Sequence, residues 1–357
     1  MKRIFAGLLA ALCLFSLVCC TDGGTENGVD GSTASSSVDG STVSDTDSAA
    51  DTNSSTVSKP IKKPTAAELI AKPERYVAMC DQKNDRIIIS DLAVEDWSND
   101  NAVVWEYPSG YAAGLKFRDC DYYGGEILVY CGKQAVIVSM NTKKILLKTN
   151  DCGTNPHSVE VLPDGTLVVA SSTDNWVGIY PPGETIPSQT IQYPNAHGVL
   201  WDPTEEVVWI TGANGLGAYR VLGTGKTRKL SAVSSMQYTL PNSSAHDLAP
   251  VYGDTNKLLI TCASGIVCFN KEKETFSYSY SGGDEGKKHG YVSGCGLFDD
   301  GVLVFSPINK ETLVYKEWGT NIIFIAVPMP SGLTKLYKRT APNDGYYKVR
   351  IFNTAYQ

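Results

Sequence analysis

From Tyr76 onward, short apolar runs rich in β-branched and aromatic residues alternate with turns of Gly, Asp, Asn and Pro. Helical periodicity is nearly absent after Glu74; before it, only Thr65 to Ala71 has the pattern of a short helix. The apolar runs recur at intervals. Asn155-Pro156-His157-Ser158-Val159, Asn195-Ala196-His197-Gly198-Val199 and Ser244-Ala245-His246-Asp247-Leu248 each open a strand. About ten residues later each is followed by a second strand, Leu167 to Ala170, Val207 to Ile210 and Leu258 to Thr261. A turn and a third strand then follow, at Trp176 to Tyr180, Leu216 to Val221 and Ile266 to Asn270. Two further copies lack the aligned histidine: Lys116-Phe117-Arg118 before Ile127 to Tyr130, and Ser293-Gly294-Cys295 before Val302 to Phe305.

The histidines are spaced by 40 and 49 residues, the length of a four-stranded propeller blade. Tyr76 to Cys80, Arg86 to Asp91 and Val103 to Trp105 match the second, third and fourth strands of another blade, whose first strand is missing. Tyr346 to Phe352 is an orphan strand that can supply it, closing the ring and removing exposed sheet edges. The expectation is an all-β, six-bladed β-propeller with blades at 76–107 plus 346–352, 112–149, 155–193, 195–240, 244–281 and 290–339. A seventh blade is the alternative if the irregular stretch 220–243 hides extra strands. A β-sandwich fits less well, because it gives no reason for a 40-residue repeat.

The residues before the repeats have another character. Lys2 and Arg3 precede an apolar or small run from Ile4 to Val18, too short to cross a bilayer, which takes about 20 helical residues, and suited to a secretory signal. The run ends in Leu17-Val18-Cys19-Cys20, which resembles the bacterial lipobox and implies lipidation of Cys20, with Leu17 three places before it. Cys19 departs from the small residue usual at that place. The expected location is therefore extracytoplasmic, held to a membrane by an N-terminal lipid. Residues 21–58 hold six Asp and one Glu, with no Lys, Arg or aromatic residue. Such a stretch cannot bury enough apolar surface to offset its ordering entropy, so 21–74 is expected to be a tether carrying the short helix. The chain's net charge is −7; the signal contributes +2 and the tether −7, leaving −2 for the repeats. That near-neutral balance excludes a nucleic-acid binder. Seven cysteines fall within the repeats, and most read as buried thiols; Cys262 and Cys268 flank a hairpin that a cross-strand disulfide could bridge.

Three of the four histidines open the same strand of consecutive blades. If that strand is innermost, His157, His197 and His246 form a ring at one mouth of the channel. Neutral imidazole is a common metal ligand, and three would leave positions open for water or substrate, with manganese, zinc or calcium as the candidate ion. His289 lies four residues ahead of the corresponding place in the sixth blade and could reach the same rim. Lys116 with Arg118, and Lys348 with Arg350, are evenly spaced on strands, so each pair shares a face and could meet an anionic ligand such as a uronate sugar. Tyr111, Trp176 and Tyr291 are candidate sugar-stacking aromatics. Strand alternation argues the other way for the histidines: it puts His157 on the face of Val159 and Val161, which should pack between blades, and a histidine there can instead fasten loop to sheet.

The architecture and histidine placement look like those of metal-dependent oligogalacturonate lyases; no longer motif supports that likeness. Ala78-Met79-Cys80-Asp81-Gln82, Pro156 to Gly165 and Tyr346-Tyr347-Lys348-Val349-Arg350 resemble an uncharacterised family of bacterial β-propeller lipoproteins, which implies the fold and no activity. Three functions remain open: a monomeric, surface-anchored propeller binding a ligand, a carbohydrate above all, at the His-lined mouth; a metal-dependent lyase or hydrolase acting on uronate-containing glycans; and a protein-interaction platform with structural histidines. No catalytic residue is assigned.

Overall fold

A computed structural model describes residues 75–357 apart from 214, 242–243, 279–290, 309–311, 330 and 332–333. Cys20, the signal, the tether, the short helix and His289 lie outside the described residues. The described strands form six antiparallel sheets, and the chain is a six-bladed β-propeller. Blade 1 runs from the centre outward as Tyr346–Ile351, Tyr76–Asp81, Arg86–Asp91 and Val103–Tyr107. The orphan strand therefore closes the ring, with Val77 opposite Ile351 and Met79 opposite Val349. The inner strands of blades 2 to 6 are Ala112–Cys120, Pro156–Val161, Gly198–Asp202, Ala245–Pro250 and Val292–Leu297. No seventh blade arises from the described residues of 220–243, which supply the outer strand Lys229–Thr239 of blade 4, bulged where its register shifts between Gly217 and Tyr219.

Six buried apolar clusters fill the spaces between neighbouring blades. This arrangement explains the unbroken apolar runs. Val168 faces blade 4 while its neighbour Val169 faces blade 2, so both sides of a middle strand need apolar residues. The outer strands face water and alternate, as in Gln189–Gln192. The seven cysteines of the propeller are buried free thiols. Cys262 pairs across its hairpin with Gly265, and Cys268 with Leu259, so the two sulfurs stand several rungs apart and do not face each other.

The inner strands approach each other closely. A Cβ on Gly114 would meet the His157 carbonyl oxygen at 2.5 Å, and one on Gly294 would meet the Val349 nitrogen at 2.8 Å. Blade 6 carries an excursion between its second and third strands. Its hairpin, Leu313–Tyr315 with Gly319–Thr320, pairs through Thr320 with Tyr346, at the start of the inner strand of blade 1.

Candidate metal centre at the channel mouth

The conflict between strand alternation and an inward histidine is resolved by a local bulge. Pro156 pairs with Ser171 but Ser158 already pairs with Ala170, leaving His157 as the extra residue. The same slip occurs at His246, between the pairs Ala245–Cys262 and Asp247–Thr261. An extra residue re-aims a side chain without disturbing the rest of the strand. His197 needs no bulge: it sits one residue before Gly198–Asp202, its N–H donating to the Thr211 carbonyl at 2.9 Å.

The three imidazoles converge. One ring nitrogen from each lies within 4.8 Å of the others, and the ring centroids are 4.3, 4.9 and 5.5 Å apart. Each Nδ1 is committed to a carbonyl: His157 to Asn155 at 3.0 Å, His197 to Asn195 at 2.8 Å, and His246 to Ser293 at 3.3 Å. That bond requires Nδ1–H and leaves the lone pair on Nε2. Fixing the tautomer through a backbone carbonyl is the usual support of a metal-ligating histidine. On His246 the Nε2 lone pair accepts the Tyr347 hydroxyl at 3.0 Å, so an incoming metal must displace or recruit that phenol. All three rings are less than a tenth exposed. Burial, followed by the charges of neighbouring imidazoles and Lys348, holds His157 and His246 well below the ordinary histidine range. Burial also brings His197 down to about 4. The cluster is therefore neutral at pH 7, the form that ligates. Tetrahedral ligands at a zinc–nitrogen bond length stand about 3.4 Å apart, so nitrogens spaced up to 4.8 Å apart would have to close by as much as about 1.4 Å to share one ion.

Lys116, Arg118, Lys348 and Arg350 do share a channel-facing side, as their spacing implies, but they do not stand at the rim. They are buried beneath it, along the channel. Two acids that sequence reasoning did not single out engage them. Glu160 binds Arg118 through Nε at 2.8 Å and Nη2 at 2.9 Å, and Lys116 at 3.4 Å. Asp247 Oδ1 binds Lys348 at 3.0 Å and Arg350 at 2.6 Å. Each acid lies within three residues of a histidine, the one signal that could have found it. The lysines also satisfy backbone carbonyls left free on the inner strands: Lys348 those of His157 and His246, Lys116 those of Val159 and Val199. Burial brings Lys116 down to about 7 despite Glu160. Burial alone would raise the Glu160 carboxyl, but Arg118 and Lys116 hold it below its usual range.

Aromatic residues surround the mouth. The Tyr291 ring is 4.9 Å from that of His246. Tyr111 and Trp318 pack on the cluster that contains Tyr347, and Trp318 Nε1 donates to Gln82 Oε1 at 2.8 Å. Trp318 rides on the blade 6 hairpin with Tyr315 and Lys316, whose exposed ammonium lies 5.1 to 5.5 Å from the rings of Tyr315, Trp318 and Tyr111. Sequence reasoning missed this hairpin, and the only hint was the extra length of the sixth repeat. Trp176 is on the third strand of blade 3, away from the inner ring.

No curated protein matches the sequence. Among solved structures, a protein of unknown function from Bacteroides caccae is similar at 13% identity and TM-score 0.53, over 77% of this chain and 97% of that one. A putative 6-phosphogluconolactonase from Bacteroides fragilis is similar at 10% identity and TM-score 0.52, over 78% and 98%. A chain of a nidogen/laminin complex aligns at 11% identity and TM-score 0.51, over 78% and 98%. At such identities these likenesses show the fold alone. A family of unknown function (DUF6528) matches residues 38–313, more than half of the chain, and the protein belongs to that family.

Proposed function

We propose that this propeller is a membrane-anchored receptor, tethered through lipidated Cys20, that binds a carbohydrate ligand at its histidine-lined mouth through a divalent metal. The observation that carries the reading is the convergence of three neutral imidazoles, each with Nδ1 tied to a carbonyl and one nitrogen within 4.8 Å of the others. A donor set of three nitrogens favours zinc, with manganese next, over calcium, which prefers oxygen. A bound cation would take an anionic group such as a uronate carboxylate. Tyr111, Tyr291 and Trp318 supply flat faces for a sugar ring, and Lys316 a second positive charge at the rim. A second reading, a metal-dependent lyase or hydrolase on uronate-containing glycans, draws support from Tyr347, a proton-carrying group in direct contact with His246.

Metal analysis and zinc titration of the full-length protein test this, beside a His157→Ala, His197→Ala, His246→Ala triple variant. One equivalent of metal, absent from a folded variant, supports the site; uronate oligosaccharides are then assayed for binding and for turnover. Failure to take up metal, with a variant that merely unfolds more easily, would make the histidines fasteners of the inner strands and end both readings.

A further inference from the structure

The channel's charges do not balance. Among the described residues its interior holds Lys116, Arg118, Lys348 and Arg350 against Glu160 and Asp247. Three of these cations are well supplied with acceptors. Lys348 uses all three donors, on His157 O, His246 O and Asp247; Lys116 uses its three on Val159 O, Val199 O and Glu160. Arg118 has Glu160 twice and the carbonyls of Phe117 and Ala355. Arg350 is the exception. Of its five N–H groups it spends one on Asp247 and one on the Leu248 carbonyl, and its buried Nε has no partner.

The same arginine lines a cavity of about 20 Å³ at the end of the channel away from the histidines, with Lys116, Arg118, Tyr252 and Asn353 around it. Residues 353–357 run across this end. Thr354 O accepts from Asp119 N at 2.9 Å, Arg118 lies over the Tyr356 ring, and Gln357 Nε2 donates to Lys257 O at 3.0 Å. The volume suits one small particle and excludes a phosphate or a sugar. A buried guanidinium whose Nε–H has no acceptor, close to a second arginine, is a setting in which a negative charge is stabilised strongly. We infer that this cavity is a binding site for one small monovalent anion of chloride size, hydrogen-bonded by the free Nε–H of Arg350 and favoured by the nearby charge of Arg118. It is separate from the histidine cluster and independent of any metal there.

Bromide is the probe, since it replaces chloride and scatters anomalously. Crystals of the full-length protein grown in sodium bromide should show one anomalous peak within hydrogen-bond distance of Arg350 Nε. Thermal unfolding in sodium chloride or bromide should show a midpoint several degrees above that in sodium gluconate of equal ionic strength, with the gain saturating as halide rises. An Arg350→Lys variant, which keeps the charge and loses the fork, should lose most of that halide dependence. Unfolding midpoints that coincide in chloride and gluconate, or a cavity holding only water in the bromide crystals, would overturn the inference. Because the crystal test uses the unaltered protein, a variant that fails to fold does not shelter the idea.

Discussion

The Glu160→Gln exchange tests whether the channel interior is an ionic plug or a set of separately solvated charges. Gln keeps the shape but removes the charge that faces Arg118 at 2.8 and 2.9 Å and Lys116 at 3.4 Å. It also weakens the acceptors now used by the Val161 and Trp201 amides, and its NH2 must point at a cation. Arg118 is then left as a buried charge without its anion, while Lys116, which burial already brings down to about 7 beside Glu160, gives up its proton. Removing one partner of a buried ion pair costs about 3–5 kcal/mol, because the survivor stays desolvated and unpaired. For a domain of this size, with roughly 2–4 °C per kcal/mol, the melting midpoint should fall by roughly 10 °C. Urea unfolding followed by tryptophan fluorescence, with calorimetry beside it, measures the loss. Adding Arg118→Met should recover part of it, since deleting both partners spares the unpaired charge. A loss below about 1 kcal/mol, or a double variant worse than the two single losses combined, would refute the plug.

Gly114→Ala should destabilise the fold by about 1–3 kcal/mol by overpacking, and lower zinc uptake, because its Cβ would press on the His157 carbonyl at 2.5 Å; chemical denaturation and metal titration read the two effects. The metal-free protein should lose stability as pH falls below about 6.5, where the unfolded histidines take up protons and the buried ones do not. With the folded value near 4, His197 alone accounts for about 3 kcal/mol of that loss down to pH 4; His197→Gln should flatten the stability curve measured between pH 7 and 4.5, and an unchanged slope would contradict the burial argument. The seven propeller thiols, all buried, should react with a disulfide reagent only after denaturation, so fast labelling of the native protein would count against the packing described.

The repeat was legible because blade geometry leaves a strong imprint: a middle strand packed on both sides must be apolar throughout, as in Leu167–Ser171. The closing strand was legible for a related reason, since a first blade lacking its inner strand needs a partner and Tyr346–Ile351 had none nearby in sequence. The direction of His157 was not, because periodicity assumes unbroken alternation and a one-residue bulge reverses it. The spacing of Lys116 with Arg118 and of Lys348 with Arg350 gave their shared side correctly but not their depth. Depth depends on Glu160 and Asp247, supplied by other blades, and no local pattern links residues more than 40 positions apart. The hairpin carrying Trp318 left little trace, because its strands are only two and three residues long.

Ring closure also dictates an order of events during folding. Met79 cannot meet Val349 until nearly the whole propeller has been made, a separation of 270 residues, and such distant contacts form late and slowly. Until then blade 1 presents a bare edge, open to pairing with another chain. The strand that arrives last brings Tyr347 to His246 and delivers Lys348 and Arg350 to Asp247. The histidine cluster and the ionic interior are thus completed in one closing step, so a nascent chain stalled short of it would have neither, however many blades it had already built.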